Sequence, residues 1–226
     1  MQEISWKDNL RIAWFGCFLT GASISLVVPF MPIFVEQLGI EGDQVAFYSG
    51  LAISVSAISA AFVSPIWGIL ADKYGRKPMM IRAGLAMTIT MGGLAFVPNV
   101  SWLLFLRFLN GVFTGFVPNA TALIASQVPK DRSGYALGTL STGVVAGTLT
   151  GPFVGGFIAE IFGIRNVFLL VGSFLFLAAI LTILFVKENF QPVPKEKVLP
   201  TKELFTSVKY PFLLINLFLT SFVIQF

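Results

Sequence analysis

The sequence contains no histidine and a single cysteine, Cys17, among its 226 residues. With so few imidazole and thiol groups, the chain cannot by itself form a disulfide framework, a zinc site or a histidine-based catalytic relay. It also lacks a P-loop and a dinucleotide-binding fingerprint following a strand. The sequence therefore predicts neither an enzyme nor a site for a metal or an organic cofactor.

Charged residues are scarce as well: they make up 12% of the chain, whereas 56% of the residues are hydrophobic and the mean hydropathy is +0.85. A soluble domain has about a quarter charged residues, so this chain lacks the polar surface of a water-soluble globule. The composition predicts an all-α membrane protein. Apolar runs of about 17–25 residues give six predicted spans: Leu10–Val35, Phe47–Ala71, Met79–Val97, Trp102–Ser126, Tyr135–Phe162 and Val167–Val186.

The pattern along the chain predicts three parts. Residues 1–186 form a six-helix transmembrane bundle whose first helix is too long to be the core of a signal peptide. Residues 187–210 contain three prolines and alternate lysine with glutamate, which is typical of a cytoplasmic linker. Residues 211–226 are apolar to the last position and are interpreted as the truncated start of a seventh transmembrane helix. Six spans, a linker and further spans are typical of transporters with two six-helix halves.

The distribution of basic residues predicts the orientation. If the N-terminus is cytoplasmic and the spans alternate, all of the 15 lysines and arginines except Arg107 and Arg165 fall at the inner side. This bias is the positive-inside rule. The net charge of +4 therefore reflects membrane topology, and the predicted partner is the lipid bilayer, with no nucleic acid.

The turn between the second and third spans reads Gly-Ile-Leu-Ala-Asp-Lys-Tyr-Gly-Arg-Lys-Pro. Gly68 would end its helix and allow a neighbouring helix to approach closely, and Asp72 could meet the positive end of another helix or an arginine. Gly75 permits the tight reversal, and Arg76 and Lys77 hold the turn in the cytoplasm. From residue chemistry alone, a simple basic loop with an incidental aspartate is an alternative.

Glycines recur at every fourth position of the fifth span, at Gly143, Gly147, Gly151 and Gly155. This spacing places them on nearly one helix face and predicts close packing against another helix. Pro152 should bend the helix. The spacing alone also fits a generic small-residue packing face.

Arg107 is the one charged residue well inside a predicted span, where a charge is costly and usually functional. Asn110 and Thr114 follow at spacings of three and four, which predicts a polar helix face directed at a cavity. Snorkelling of Arg107 to the outer interface is the alternative. Because the six spans contain no mid-membrane Asp or Glu, any proton-binding carboxylate within the membrane is predicted to lie after residue 226.

These motifs resemble signatures of the major facilitator superfamily. The turn is similar to the signature loop between helices two and three, which helps to lock the cytoplasmic side. Residues 147–156 resemble the antiporter motif Gly-x-x-x-Gly-Pro-x-x-Gly-Gly, and residues 103–111 resemble the arginine-containing motif of helix four, in which Gln is common where Asn110 stands. Pro29-Phe30-Met31-Pro32 looks like the Pro-x-x-Pro signature of twelve-helix drug antiporters.

The resemblance implies the N-terminal half of a drug:proton antiporter of the Gram-positive multidrug efflux type, with a six-helix bundle of 3+3 inverted repeats. It implies lipophilic or cationic drug substrates, a proton gradient instead of a cofactor, a bacterial plasma membrane and a missing C-terminal half. The implied site residues are a conformational latch (Gly68, Asp72, Gly75, Arg76 and Lys77, with Asp131 as a mate for Arg76), a proton-coupling and cavity group (Arg107, Asn110 and Thr114) and the antiporter motif (Gly147, Gly151, Pro152, Gly155 and Gly156).

Two rival functions stay open. One is a facilitator of the same fold that carries a sugar or metabolite, although the few polar residues of span one, mainly Thr20, Ser23 and Ser25, favour lipophilic substrates. The other is a six-helix channel subunit or non-transporting membrane protein. A channel needs a filter or a ring of like residues, and the sequence shows no re-entrant filter segment.

Overall fold

The computed structural model describes residues 5–190. The predicted seventh helix and most of the predicted linker lie outside these residues. The described part contains no strand, and its helices are α1 (Trp6–Val27), α2 (Met31–Gln37), α3 (Gln44–Tyr74), α4 (Arg76–Gly93), α5 (Val100–Phe113), α6 (Phe116–Gln127), α7 (Ser133–Phe162) and α8 (Ile164–Phe185). Short 3-10 helices cover Leu94–Phe96 and Lys130–Arg132.

Six helical segments are long and apolar enough to cross a bilayer, which confirms the number of predicted spans. A helix that is apolar around its whole circumference belongs in lipid or in a large core. The six segments found among residues 5–190 are Trp6–Val27, Gln44–Tyr74, Arg76–Phe96, Val100–Gln127, Lys130–Phe162 and Ile164–Phe185.

The first predicted span is not one continuous helix. α1 ends at Val27, residues 28–30 form a turn, and the short α2 begins at Met31 with Pro32 in its first turn. Proline has no backbone N–H to continue the hydrogen-bonding ladder of a preceding helix, whereas it is tolerated in a first turn. Pro29 and Pro32 therefore divide the helix instead of only bending its end.

The fourth span is also divided. α5 ends at Phe113, Thr114 has an extended backbone (φ −60°, ψ 168°), and α6 begins at Phe116. Gly115 between them has φ 132°, a conformation that side chains other than hydrogen rarely adopt. The expectation that Thr114 continues the helical face of Arg107 and Asn110 is thus wrong, because the helix ends one residue earlier.

The pairing of the spans follows the 3+3 inverted repeat. α1 packs mainly on α7, α3 on α5, and α4 on α8. If the spans are exchanged as first for fourth, second for fifth and third for sixth, the α1–α7 pair becomes the α5–α3 pair and the α4–α8 pair maps onto itself. Such internal repeats are a hallmark of transporter folds.

The bundle has two apolar core clusters. One surrounds Phe34 and Phe168 at the end of the bundle that carries α2. The other surrounds Phe116 and Cys17, whose side chain is fully buried. In contrast, α3 and α7 leave large apolar side chains exposed, including Phe62 and Phe153. Exposed apolar surface of this extent suits contact with lipid or with further helices.

Candidate functional site

The latch turn, which we define as residues Asp72–Lys77, is a very short reversal. α3 ends at Tyr74 and α4 begins at Arg76, so Gly75 alone separates the two helices, with φ 100°. The Nη2 atom of Arg76 lies 2.5 Å from Oδ1 of Asp72, and the Asp72 side chain is 58% exposed. Exposed ion pairs contribute little to stability, so Asp72 remains free to exchange partners at low cost.

The expected pairing of Arg76 with Asp131 is not formed in the described part of the chain. Oδ2 of Asp131 lies 3.8 Å from Nε of the adjacent Arg132, and both side chains are mostly exposed. Both residues lie in the short 3-10 helix Lys130–Arg132. Arg76 instead finds its carboxylate within its own turn.

A carboxylate that the sequence did not suggest holds the start of α4. The backbone N–H groups of Arg76 and Lys77 donate to Oε1 and Oε2 of Glu188, each at 2.8 Å. The first amides of a helix lack partners within the helix and attract a negative charge. Composition assigns Glu188 to the linker, and the sequence signals it only as an acidic residue two positions after the sixth predicted span.

The backbone of Lys187, next to Glu188, forms hydrogen bonds with the amide side chains of Asn9 and Gln127, which we call the clasp. Asn9 donates to the carbonyl of Lys187 at 2.6 Å and accepts from its N–H at 2.9 Å. Gln127 donates to the same carbonyl at 3.0 Å and accepts from Asn9 at 2.7 Å. Asn9 is 2% exposed, so this cluster fixes the end of the sixth span against α1 and α6.

Gly68 does not contact another helix in the described residues. A Cβ atom placed there would meet no atom within 4 Å, and α3 continues beyond it to Tyr74. The expectation that Gly68 ends its helix is therefore wrong. Its open face would admit a helix from outside residues 5–190.

Arg107 lies inside the bundle between α3, α4 and α5. Its side chain is 7% exposed, Nε donates to the carbonyl of Ala52 at 3.0 Å, and Nη1 lies 3.8 Å from the sulfur of Met91. This arrangement excludes snorkelling to the interface, and it directs the side chain at neighbouring helices instead of an open cavity. Among residues 5–190 no carboxylate pairs with it. A buried cation without a counter-charge is costly.

A small polar network continues from Arg107 along α5. Asn110 accepts from the hydroxyl of Thr90 at 3.1 Å and donates to the hydroxyl of Ser56 at 3.4 Å. Ser59 donates to the carbonyl of Phe108 at 3.0 Å. The network joins α3, α4 and α5 in the centre of the bundle. Buried polar groups of this kind fix the register of helices in a membrane.

Arg82 is a second, partly buried cation, which lies between α3 and the end of α5. Its guanidinium carbon lies 3.5 Å from the centre of the Trp67 ring, and Nη2 donates to the carbonyl of Thr114 at 3.2 Å. Trp67 in turn donates to the carbonyl of Val112 at 2.6 Å. A cation at the C-terminal end of a helix is favourable, so Arg82 stabilises the break between α5 and α6.

The glycine row of the antiporter motif faces α1. A Cβ atom on Gly147 would lie 2.1 Å from the carbonyl oxygen of Phe18, and one on Gly151 would lie 2.8 Å from that of Ala22. Gly155 meets the side chain of Leu26 in the same way. The two helix backbones touch here because no side chain separates them. α7 passes through Pro152 without interruption.

Two grooves mark the surface of the bundle. The larger, about 520 Å³, lies at the start of α1 and α7 and is lined by Trp6, Lys7, Leu10, Arg11, Trp14, Arg132, Tyr135 and Thr139. The smaller, about 350 Å³, is apolar, lies between α3 and α5 and is lined by Val55, Ile58, Ser59, Phe62, Val63 and Phe108. Neither is lined by Arg107 or Asn110.

Sequence comparison places this arrangement among known transporters. The chain is 87% identical over all 226 residues to the multi-drug resistance efflux pump PmrA of Streptococcus pneumoniae and covers 57% of that protein. It is 56% identical to the PmrA homolog of Lactococcus lactis and 50% identical to the multidrug resistance protein MdtG of Proteus mirabilis, covering 55% of each. The chain thus spans about half the length of these relatives.

Solved structures share the fold at low sequence identity. The human organic anion transporter MFSD10 superimposes with a TM-score of 0.73 at 16% identity, over 89% of this chain and 53% of that one. The POT family transporter PepTSo superimposes with a TM-score of 0.74 at 16% identity, over 84% of this chain and 40% of that one. The Major Facilitator Superfamily profile matches residues 13–226. With this match and six membrane-spanning helices in the expected arrangement, the chain belongs to the major facilitator superfamily.

Proposed function

We propose that this chain is the N-terminal half of a twelve-helix transporter that exports lipophilic or cationic drugs in exchange for protons. The observation that carries the proposal is the 87% identity, over the whole chain, to a protein named as a multidrug efflux pump. The resemblance of residues 147–156 to the antiporter motif supports export, and three glycines of this motif form the close contact between α7 and α1. The required partner is a second six-helix half.

The proposed orientation has the N-terminus in the cytoplasm of a bacterial cell and the latch turn at the inner face of the plasma membrane. The basic residues Lys73, Arg76 and Lys77 all cluster at this turn. Basic loops are retained on the cytoplasmic side. The inner side then also holds the clasp of Asn9 and Gln127.

In the proposed mechanism the half moves as one rigid unit against its partner. Direct backbone contact between α1 and α7 and the polar network between α3 and α5 oppose internal deformation, because packed elements shift between discrete arrangements. The exposed faces of α3 and α7 are the surfaces available to the second half. Asp72 closes the inner side by exchanging Arg76 for a group on that half.

Proton coupling is proposed to use Arg107 together with an acid beyond residue 226. A lone buried guanidinium raises the positive potential around it, which favours the ionised form of a nearby carboxylate. Proton binding to that carboxylate would weaken its attraction to Arg107 and so link protonation to the position of the helices. The proton gradient supplies the energy, and no cofactor is required.

The experiment uses the full-length transporter in inverted membrane vesicles with a fluorescent cationic dye. We expect dye uptake that stops when a protonophore is added, and at least a tenfold loss in Arg107→Gln. Arg11→Gln is the matched control, because the Arg11 side chain is 79% exposed and its ion pair is with the exposed Asp8. Dye transport that the protonophore does not change would favour a facilitator. Vesicles that do not accumulate dye against its concentration gradient would favour a channel or a scaffold. Either result would overturn the proposal.

A further inference from the structure

We propose that Glu188 is a positioning residue of the latch turn, which holds the first amides of α4 so that Asp72 stays available to a partner helix. The inference rests on the proposed function, because it assigns Glu188 a role in the same latch. Its evidence is independent of the family motif, since Glu188 lies 112 residues from Arg76 in sequence.

The start of α4 needs a carboxylate from elsewhere. Gly75, the residue before the helix, has no side chain to cap it, although the first amides of a helix require acceptors. Both oxygens of Glu188 meet this need, at 2.8 Å from the Arg76 and Lys77 amides. A Cβ atom on Gly75 would lie 2.8 Å from Oε2 of Glu188. Glycine at this position therefore supplies both the positive φ and the room for Glu188.

Glu188 is held in place by the bundle. Val186, two residues earlier, is 1% exposed within a core cluster. The backbone of Lys187 is fixed by Asn9 and Gln127 through four hydrogen bonds to and between these side chains. The backbone that carries this carboxylate is thus held against α4 by α1, α6 and the end of α8.

The consequence for the latch concerns Asp72. With Glu188 in place, the positive end of α4 is already neutralised, and within residues 5–190 Asp72 bonds only to the Arg76 side chain. Without Glu188, the nearest carboxylate to the uncapped amides in the turn is Asp72 itself, and the helix dipole would attract it. Asp72 would then be drawn into its own turn and away from a partner helix. Glu188 acts on transport through Asp72.

The first test measures hydrogen exchange of the latch turn in the full-length transporter, reconstituted in lipid nanodiscs. In Glu188→Gln the amides of Arg76 and Lys77 should exchange about tenfold faster, because a hydrogen bond to a charged group is replaced by a weaker one. Glu160→Gln is the matched control, since Glu160 is exposed near the end of α7, on the opposite side of the bundle. Unchanged exchange in Glu188→Gln would overturn the proposal.

The second test measures dye transport. Glu188→Gln should lower Vmax about tenfold and leave KM unchanged, and Glu188→Asp, which keeps the charge, should restore part of the rate. The double variant Asp72→Asn/Glu188→Gln should be no slower than Asp72→Asn alone. A double variant in which the two single losses of Vmax multiply would overturn the proposal. A loss in Glu188→Asp as large as that in Glu188→Gln would overturn it as well. If Glu188→Gln does not fold, Glu188→Asp is measured in its place. Amide exchange and Vmax equal to those of the unmodified transporter would then overturn the proposal.

The two hypotheses fail in different ways. If the unmodified transporter shows no protonophore-sensitive dye transport, the proposed function fails, whereas the exchange measurement still reports on Glu188 and the α4 amides. If transport is normal but exchange is unchanged by Glu188→Gln, only the role of Glu188 fails.

Discussion

Replacing Gly147 with alanine should force α1 and α7 apart. The added Cβ would lie 2.1 Å from the carbonyl oxygen of Phe18 and 2.7 Å from the backbone nitrogen of Ala22, whereas non-bonded contacts of carbon need about 3.5 Å. Both neighbours are backbone atoms, so no side-chain rotation can relieve the overlap. The helices must separate by roughly 1 Å at this level.

The magnitude follows from two opposing terms. Overpacking a tight interface costs about 1–3 kcal/mol, with the upper end expected where backbone must move. Alanine has a better helix propensity than glycine by about 1 kcal/mol. Gly156, in the same motif and the same helix, provides the second term alone, because a Cβ atom there would meet no atom within 4 Å. We expect Gly147→Ala to be less stable than Gly156→Ala by about 2 kcal/mol or more.

The assay is thermal unfolding of the full-length transporter in a mild detergent, followed by size-exclusion chromatography of the heated samples. In a protein about twice as long as this chain, a difference of about 2 kcal/mol corresponds to roughly 2–4 °C in apparent Tm. Gly156→Ala should unfold at or slightly above the temperature of the unmodified protein. Equal Tm values for the two variants would refute the backbone contact between α1 and α7.

Three further outcomes are expected. Gly111→Ala should lower the apparent Tm by about 2 °C or more, because its Cβ would overlap the α3 backbone, whereas Gly50→Ala, which faces open space, should not. Asn9→Ala should speed amide exchange at residues 186–188 about tenfold, since it removes bonds to Lys187. Trp67→Leu should lower the Tm by about 2 °C or more, as measured by the same chromatography, through loss of the ring beneath Arg82.

The span pattern is predictable from sequence because lipid requires long apolar helices, and their number follows from hydropathy alone. The helix breaks are less accessible. Pro29 and Pro32 carry a clear local signal, but Gly115 is one glycine among 21, and glycine is common in membrane helices. The positive φ of Gly115 in the folded chain distinguishes it from the other described glycines inside the predicted spans.

The latch shows the same limit at the level of side chains. The motif identifies Asp72 and Arg76, which lie close in sequence and form an ion pair. Partners that are distant in sequence depend on how the helix ends are arranged in space. Asp131, the expected partner of Arg76, pairs with Arg132. Glu188 binds the amides at the start of α4. Composition predicts a solvated linker from residue 187 onwards, because the hydrogen bonds between Asn9 and the Lys187 backbone cannot be inferred from composition.

The complete burial of Cys17 has a practical consequence for spectroscopy. This chain has no other thiol, and the Cys17 side chain is sealed inside an apolar cluster, so a water-soluble maleimide would not reach it in the folded protein. A fluorophore or spin label could then be attached to an introduced cysteine on this half without first mutating Cys17, and the inter-helix distances so obtained would refer to a protein with its native packing intact.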